Sequence, residues 1–159
     1  MWLGIGALIV LALVALWAIN RTEPDVSRVH AKHILIKFDK TDPVDRARAL
    51  ELVNGLRERI MNGESFSKLA KEYSNDEFSS ARGGDLGYYR RGMFEPVFEE
   101  HVWSAPIGQL SDVVQSSYGF HLIIVVDRHI SETDQYEIDL EKKAAEAEED
   151  ATVEPAPEP

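Results

Sequence analysis

Apolar residues run from Trp2 to Ile19 without a single charge, a stretch of 18 positions. At 1.5 Å per residue, a helix of that length covers about 27 Å, close to a hydrocarbon core of about 30 Å. Trp2 and Trp17 stand near its two ends, where amphipathic rings favour the membrane interface, and Arg21 follows where a long cation can snorkel. A buried core helix would carry a polar face. A cleaved signal peptide would carry a basic start and small residues at the cut, whereas no Lys or Arg precedes Arg21 and the run ends Trp17-Ala18-Ile19-Asn20. The pattern therefore predicts an uncleaved transmembrane anchor over 1–20. A polar stretch containing Pro24 then reads as a linker over 21–28.

Beyond the linker the periodicity changes. Val29 to Phe38 is rich in β-branched and aromatic residues and predicts a strand. Asp42-Pro43 is an N-cap followed by a proline in the first helical position. Ala47, Leu50, Val53, Leu56 and Ile60 recur at helical spacing up to Gly63, a natural helix terminator. Ser65 opens a shorter helix to Tyr73. Ser74 to Gly87 reads as a loop, Phe94 to Trp103 as a short helix, and Val113 to Ser117 with Phe120 to Val126 as strands around a turn at Tyr118-Gly119. Strands and helices do not alternate as in a βαβ chain, so the order predicts an α+β domain over 29–131 on a small, mostly antiparallel sheet.

Charge separates the remainder. The 159 residues carry a formal net charge of −11, yet 132–159 alone hold 11 acidic and 2 basic residues. The body is thus near neutral, and 132–159 reads as an acidic tail ending in prolines, disordered apart from a solvated helix over 136–149. Neither part offers the basic surface that a nucleic-acid partner requires. Cysteine is absent, which removes disulfides, thiolate metal sites and a cysteine nucleophile.

Chemistry in the body has few candidates. His30 and His33 are three apart on a strand, so they point to opposite faces and cannot share an ion. The loop 76–85 lacks the spacing of a calcium loop. There is no G-x-S-x-G elbow and no phosphate-binding glycine pattern. No metal and no cofactor is expected. What remains is His33, with Ala31 and Leu35 on its face, His121, with Ile123 and Val125 on its face, and Asp76 in the loop. The pattern alone favours the structural reading, two histidines hydrogen-bonded in a packed sheet with a loop aspartate capping a turn.

Five segments in order say more: Ala31-Lys32-His33-Ile34-Leu35, Ser65 to Ser74 (SFSKLAKEYS), Gly83-Gly84-Asp85-Leu86-Gly87, Phe94-Glu95-Pro96-Val97-Phe98, and Ser117-Tyr118-Gly119-Phe120-His121-Leu122-Ile123. Together they resemble the parvulin-type peptidyl-prolyl cis/trans isomerases, over about Val29 to Arg128. The resemblance implies a sheet of about four strands surrounded by about four helices. It implies His33 and His121 as a pair of sheet histidines, and Asp76 where the family has a Cys or Asp facing the prolyl carbonyl. Leu86, Phe94 and Phe98 would form the apolar slot for the proline ring. Ser116 or Ser117 falls near a hydroxyl that supports the histidines. The loop 38–42 is short and acidic where phosphate-specific members are basic, so little preference for phosphorylated substrates is expected. The resemblance implies a membrane-anchored isomerase that assists the folding of exported, proline-containing polypeptides. It would be held by residues 2–19 in a bacterial inner membrane, with its catalytic domain outside the cytoplasm, whereas the positive-inside rule applied to Arg21 alone favours the opposite orientation. The alternative is a non-catalytic, client-binding chaperone module on the same fold.

Overall fold

The computed structural model describes residues 24–152, together with Ala15. Among them no helix is long and apolar enough to cross a membrane; the run Trp2–Ile19, read as an anchor, lies outside the described residues except for Ala15. The described elements are strand β1 (Arg28–Ile36), helices α1 (Pro43–Met61) and α2 (Phe66–Tyr73), a 3₁₀ turn (Ser80–Arg82), strand β2 (Asp85–Arg90), helix α3 (Pro96–Ser104), strands β3 (Val114–Gln115) and β4 (Phe120–His129), and helix α4 (Glu132–Thr152). The α+β expectation holds: four antiparallel strands lie in the order β2-β1-β4-β3.

Alternation along β1 and β4 builds two cores. Ile34, Ile36, Phe120 and Leu122 pack on Ala49, Val53 and Leu56 of α1 and on Leu69 and Ala70 of α2. Val29, Ala31, Ile123 and Val125 pack on Phe98 and Val102 of α3. Residues of one parity share one face, so His33 and His121 belong to the α3 side. The buried stripe of α1 is Ala49, Val53 and Leu56. Leu50 is exposed, as is Ala47; both spacings are helical, and the docked face lies roughly one residue's rotation from the one the pattern suggested.

Two helix starts follow their capping chemistry. The Asp42 side chain accepts from Val44 N at 2.8 Å with Pro43 in the first turn, and Ser65 caps α2 through Lys68 N. Gly63, at φ 96°, ends α1 in the left-handed region. Helix α3 begins at Pro96 rather than Phe94, because the residue before a proline is driven to extended backbone and Glu95 sits at φ −62°, ψ 145°.

Three boundaries differ from the sequence reading. The loop assigned to 74–87 ends in an edge strand, β2, whose half-exposed positions and central Gly87 gave no clear alternation. The linker 21–28 is not free throughout: Ser27 is buried, its hydroxyl accepts from Ser131 N at 2.9 Å and donates to Asp134, and Asp25 holds His129 at 2.6 Å and Glu132 N at 3.0 Å. The tail helix expected over 136–149 is present but longer, from Glu132 to Thr152, and it starts early because Ser131 caps it through Asp134 N at 3.2 Å. The Ser-x-x-Asp spacing of 131–134 is the signal for that start.

Each neighbour of β1 carries one extra residue. Lys32 and Ala31 face Asp85 and Gly87, leaving Leu86 over; His30 and Ala31 face Asp127 and Val125, leaving Val126 over. A bulge re-aims a side chain. Leu86 and Tyr89, three apart, consequently open onto one cleft.

Candidate active site

That cleft, a cavity of about 330 Å³, lies on the α3 side of the sheet, and all six candidate residues line it. Strands β1 and β4 bring His33 and His121 together because Leu35 pairs with His121 and His33 with Ile123. Their Nδ1 atoms are 3.3 Å apart, and the rings stack at 5.5 Å.

The loop after α2 supplies the aspartate. Beyond Lys32, β2 no longer covers β1, and the loop takes its place. His33 N donates to Gly84 O at 2.9 Å, Asn75 N to Leu35 O at 2.7 Å, Leu35 N to Ser74 Oγ at 3.1 Å, and Lys37 N to Asn75 Oδ1 at 2.9 Å. Gly84 has φ 82°, and a Cβ there would stand 2.3 Å from the His33 carbonyl oxygen; only glycine permits this approach. The stitching holds Asp76 Oδ2 at 2.9 Å from His33 Nε2.

Hydrogen-bond directions follow along the chain of polar groups. Burial pushes the Asp76 carboxyl up, but bonds from His33 and Ser79 together hold it below its usual range, so it is an ionised acceptor. It accepts from Ser79 N at 3.1 Å and from the Ser79 hydroxyl. His33 therefore carries its proton on Nε2. His121 then donates from Nδ1 to the bare Nδ1 of His33, and Ser116 Oγ donates to His121 Nε2 at 2.7 Å. Ser116, not Ser117, is the supporting hydroxyl; Ser117 bonds Glu95 instead. Burial lowers the pKa of His33 against the pull of Asp76. Burial, reinforced by the neighbouring His33, pushes His121 down to about 4. Both imidazoles are neutral at pH 7. Among the described residues, no three His, Asp or Glu side chains are grouped to hold a metal ion.

Phe98 closes the floor. Its ring meets His33 edge-on at 5.7 Å and His121 at 5.3 Å. Phe94 lies 4.8 Å from Phe98 and 4.8 Å from Tyr89, and Leu86 completes the apolar wall. The sequence reading missed Ser79, which is fully buried; the Asp-x-x-Ser spacing of 76–79 was its only trace. It also missed Tyr89, Phe78 and Tyr118 at the cleft, and Lys37, a basic group lying just outside the loop 38–42. Phe78 is 83% exposed.

An apolar wall beside neutral, hydrogen-bonded imidazoles fits a reaction in which an apolar ring is held while a bond turns. Known proteins agree with that reading. A sequence model described as the PPIC-type PPIASE domain matches residues 14–129. The chain is 42% identical over 103 residues to the chaperone SurA of Chromohalobacter salexigens, covering 65% of this chain and 23% of that protein. It is 39% identical over 101 residues to the foldase protein PrsA of Geobacillus kaustophilus, covering 64% and 32%. The chain thus spans a third or less of the length of these curated relatives. The crystal structure of the peptidylprolyl isomerase PrsA from Bacillus anthracis superposes with a TM-score of 0.57 at 32% identity, covering 82% of this chain and 54% of that one. With five motifs in order, a family match over most of the chain and the same fold, the chain belongs to the PPIC-type, parvulin class of peptidyl-prolyl cis/trans isomerases.

Proposed function

We propose that this isomerase works on polypeptide clients outside the cytoplasm, held to the membrane by residues 2–19, with the proline ring seated against Leu86, Phe94 and Phe98. The observation that carries the site is the meeting of those three side chains with the His33–His121 pair and Asp76 in one cleft. The client reading rests on the relatives, which are named a chaperone and a foldase. The anchor rests on the uncharged run Trp2–Ile19.

The mechanism follows from amide electronics. Rotation about the Xaa-Pro bond faces a barrier of about 20 kcal/mol, because resonance must be lost. Resonance places negative charge on the carbonyl oxygen, so the twisted amide is less polar than the planar one. A cleft that strips water from the carbonyl therefore favours the twisted form, and neutral imidazoles serve that purpose better than imidazolium would. Holding the ring while the preceding carbonyl swings makes binding tighter in the transition state than in the ground state. A differential of about 6 kcal/mol yields roughly 10⁴-fold. Asp76, ionised and engaged by His33 and Ser79, tunes the field near the carbonyl.

The test is isomerisation of a short Xaa-Pro peptide by the full chain in mild detergent, followed by exchange NMR without an auxiliary protease. Acceleration that needs no metal or cofactor is expected. A folded chain that leaves the uncatalysed rate unchanged would refute the proposal. Retention in membranes through alkaline washing tests the anchor, and a mature N-terminus near Thr22 would overturn it.

A further inference from the structure

Glu95 immediately precedes α3, but its side chain does not cap that helix. It reaches instead to the turn between β3 and β4, 22 residues away. Its two carboxylate oxygens accept from Ser117 N at 2.8 and 3.0 Å, and one accepts from Ser117 Oγ at 3.0 Å. The turn is the outer end of the polar chain. Ser116 N donates to Gly119 O at 2.9 Å, Tyr118 N to Ser116 Oγ at 3.0 Å, and Ser116 Oγ reaches His121. Glu95 is flanked in sequence by the apolar wall, with Phe94 before it and Phe98 one turn after.

We infer that Glu95 is a positioning residue of the isomerase site, a strap that fixes the Ser116–His121 end of the polar chain against the wall of Phe94 and Phe98. The inference rests on the isomerase reading above and adds a residue to it. Three features of the carboxylate support the role. It is one of the cleft's lining groups, so a change in its geometry is felt there. The bond from Ser117 N leads the influences that keep it below the ordinary carboxylate range, so the strap is charged at neutral pH. Charge-assisted bonds from a backbone N–H are short and roughly twice as strong as neutral ones, which suits a tie between two segments that share no strand pairing.

Glu99 supplies the comparison. It lies one turn further along α3, and its carboxylate accepts from Gly92 N, Phe94 N and Trp103 Nε1 at 2.6, 3.1 and 2.6 Å. It folds the loop before α3 onto the helix and does not touch the turn. Glu95 and Glu99 thus hold opposite sides of the same wall, and only Glu95 is coupled to the histidines.

The experiment compares Glu95→Ala, Glu95→Gln and Glu99→Ala in the full chain, with peptide isomerisation and the ring-nitrogen NMR resonances of His121 as readouts. Misplacement of catalytic groups by a fraction of an ångström to about 1 Å costs up to about 100-fold. We expect about a tenfold loss of kcat/KM for Glu95→Ala, with the His121 Nε2 resonance moving toward that of an unbonded imidazole. Glu95→Gln keeps an acceptor oxygen for Ser117 N and should recover most of the activity and most of the resonance shift. If the alanine variant does not fold, a smaller shift of the same resonance in Glu95→Gln carries the same meaning. Glu99→Ala should leave that resonance in place, which separates a strap on the turn from general support of α3. Activity within twofold of wild type and an unmoved His121 resonance in folded Glu95 variants would overturn the inference. A folded but inactive wild type would count against the isomerase reading, while the resonances would still decide whether Glu95 holds the turn.

Discussion

His121 makes the native state sensitive to mild acid. In the unfolded chain its imidazole titrates near 6.5, while in the fold burial and the neighbouring His33 push it down to about 4. Between those values the unfolded state binds a proton that the native state refuses. Stability is therefore complete above pH 6.5 and is lost as pH falls toward 4. Linkage over that interval puts the loss between pH 7 and pH 5 at about 2 kcal/mol for this one histidine. His33 and His101, both lowered chiefly by burial, act in the same direction, so the total for the wild type is larger. Replacing His121 with Asn keeps an amide at the Nδ1 position that faces His33 and removes the titration. Urea unfolding of both proteins at pH 7, 6 and 5, followed by far-UV circular dichroism, isolates the share of His121. The wild type should lose about 2 kcal/mol more than His121→Asn on going from pH 7 to pH 5, or roughly 7–9 °C in melting temperature for a domain of this size. A difference below about 0.5 kcal/mol, far short of the linkage value, would refute the claim that the buried imidazole is held neutral.

Phe98→Ala should reduce peptide isomerisation more than Asp76→Asn, because Phe98 touches Phe94 and both histidines while Asn can still accept from His33 and Ser79. The alanine variant also loses about 3–5 kcal/mol of stability, so kinetics are compared at a temperature where circular dichroism finds both variants folded; the reverse order would mean that the charge of Asp76 dominates. A phosphoserine before the proline should raise kcat/KM less than tenfold in paired peptides, since among the described residues Lys37 is the one Lys or Arg lining the cleft and a dianion is best held by clustered Arg or Lys. Ending the chain at Ser131 should lower the melting temperature by several degrees, since it deprives the buried Ser27 hydroxyl of Asp134, a loss of about 1–3 kcal/mol. Ending it after Leu140 should leave melting and peptide turnover unchanged.

The sequence was most informative where local chemistry decides. Asp42-Pro43 and Ser65 are capping signals that act within four residues, and both helices begin where those signals stand. The faces of His33 and His121 followed from period-2 alternation, which the two cores preserve. Local pattern failed where a partner distant in sequence decides. β2 is a strand because β1 lies beside it, and its DLGYYR has too little alternation to announce that. The choice between Ser116 and Ser117 depended on which hydroxyl the turn aims at His121 and which at Glu95. The first turn of α4 looked like unstructured acid until Ser27 and Asp25 were seen to hold it. Assigning the six site residues drew on likeness to a family, since spacing alone left His33, Asp76 and His121 readable as structural.

The clasp of Asp25 and Ser27 on His129, Ser131 and Asp134 has a topological consequence. Arg28 pairs with His129 in register, so the chain enters and leaves the domain at one place on its surface, and side chains tie the two crossings together. Such a unit is a closed cassette. Host sequence spliced onto either crossing meets no strand that must move, and mechanical tension between the flanks is borne by the clasp and the first β1–β4 rungs before it reaches His33 and His121. Joining the crossings with a short linker and reopening the chain at an exposed loop such as 39–42 should yield a circular permutant with an intact cleft, because domains whose ends adjoin tolerate that rearrangement.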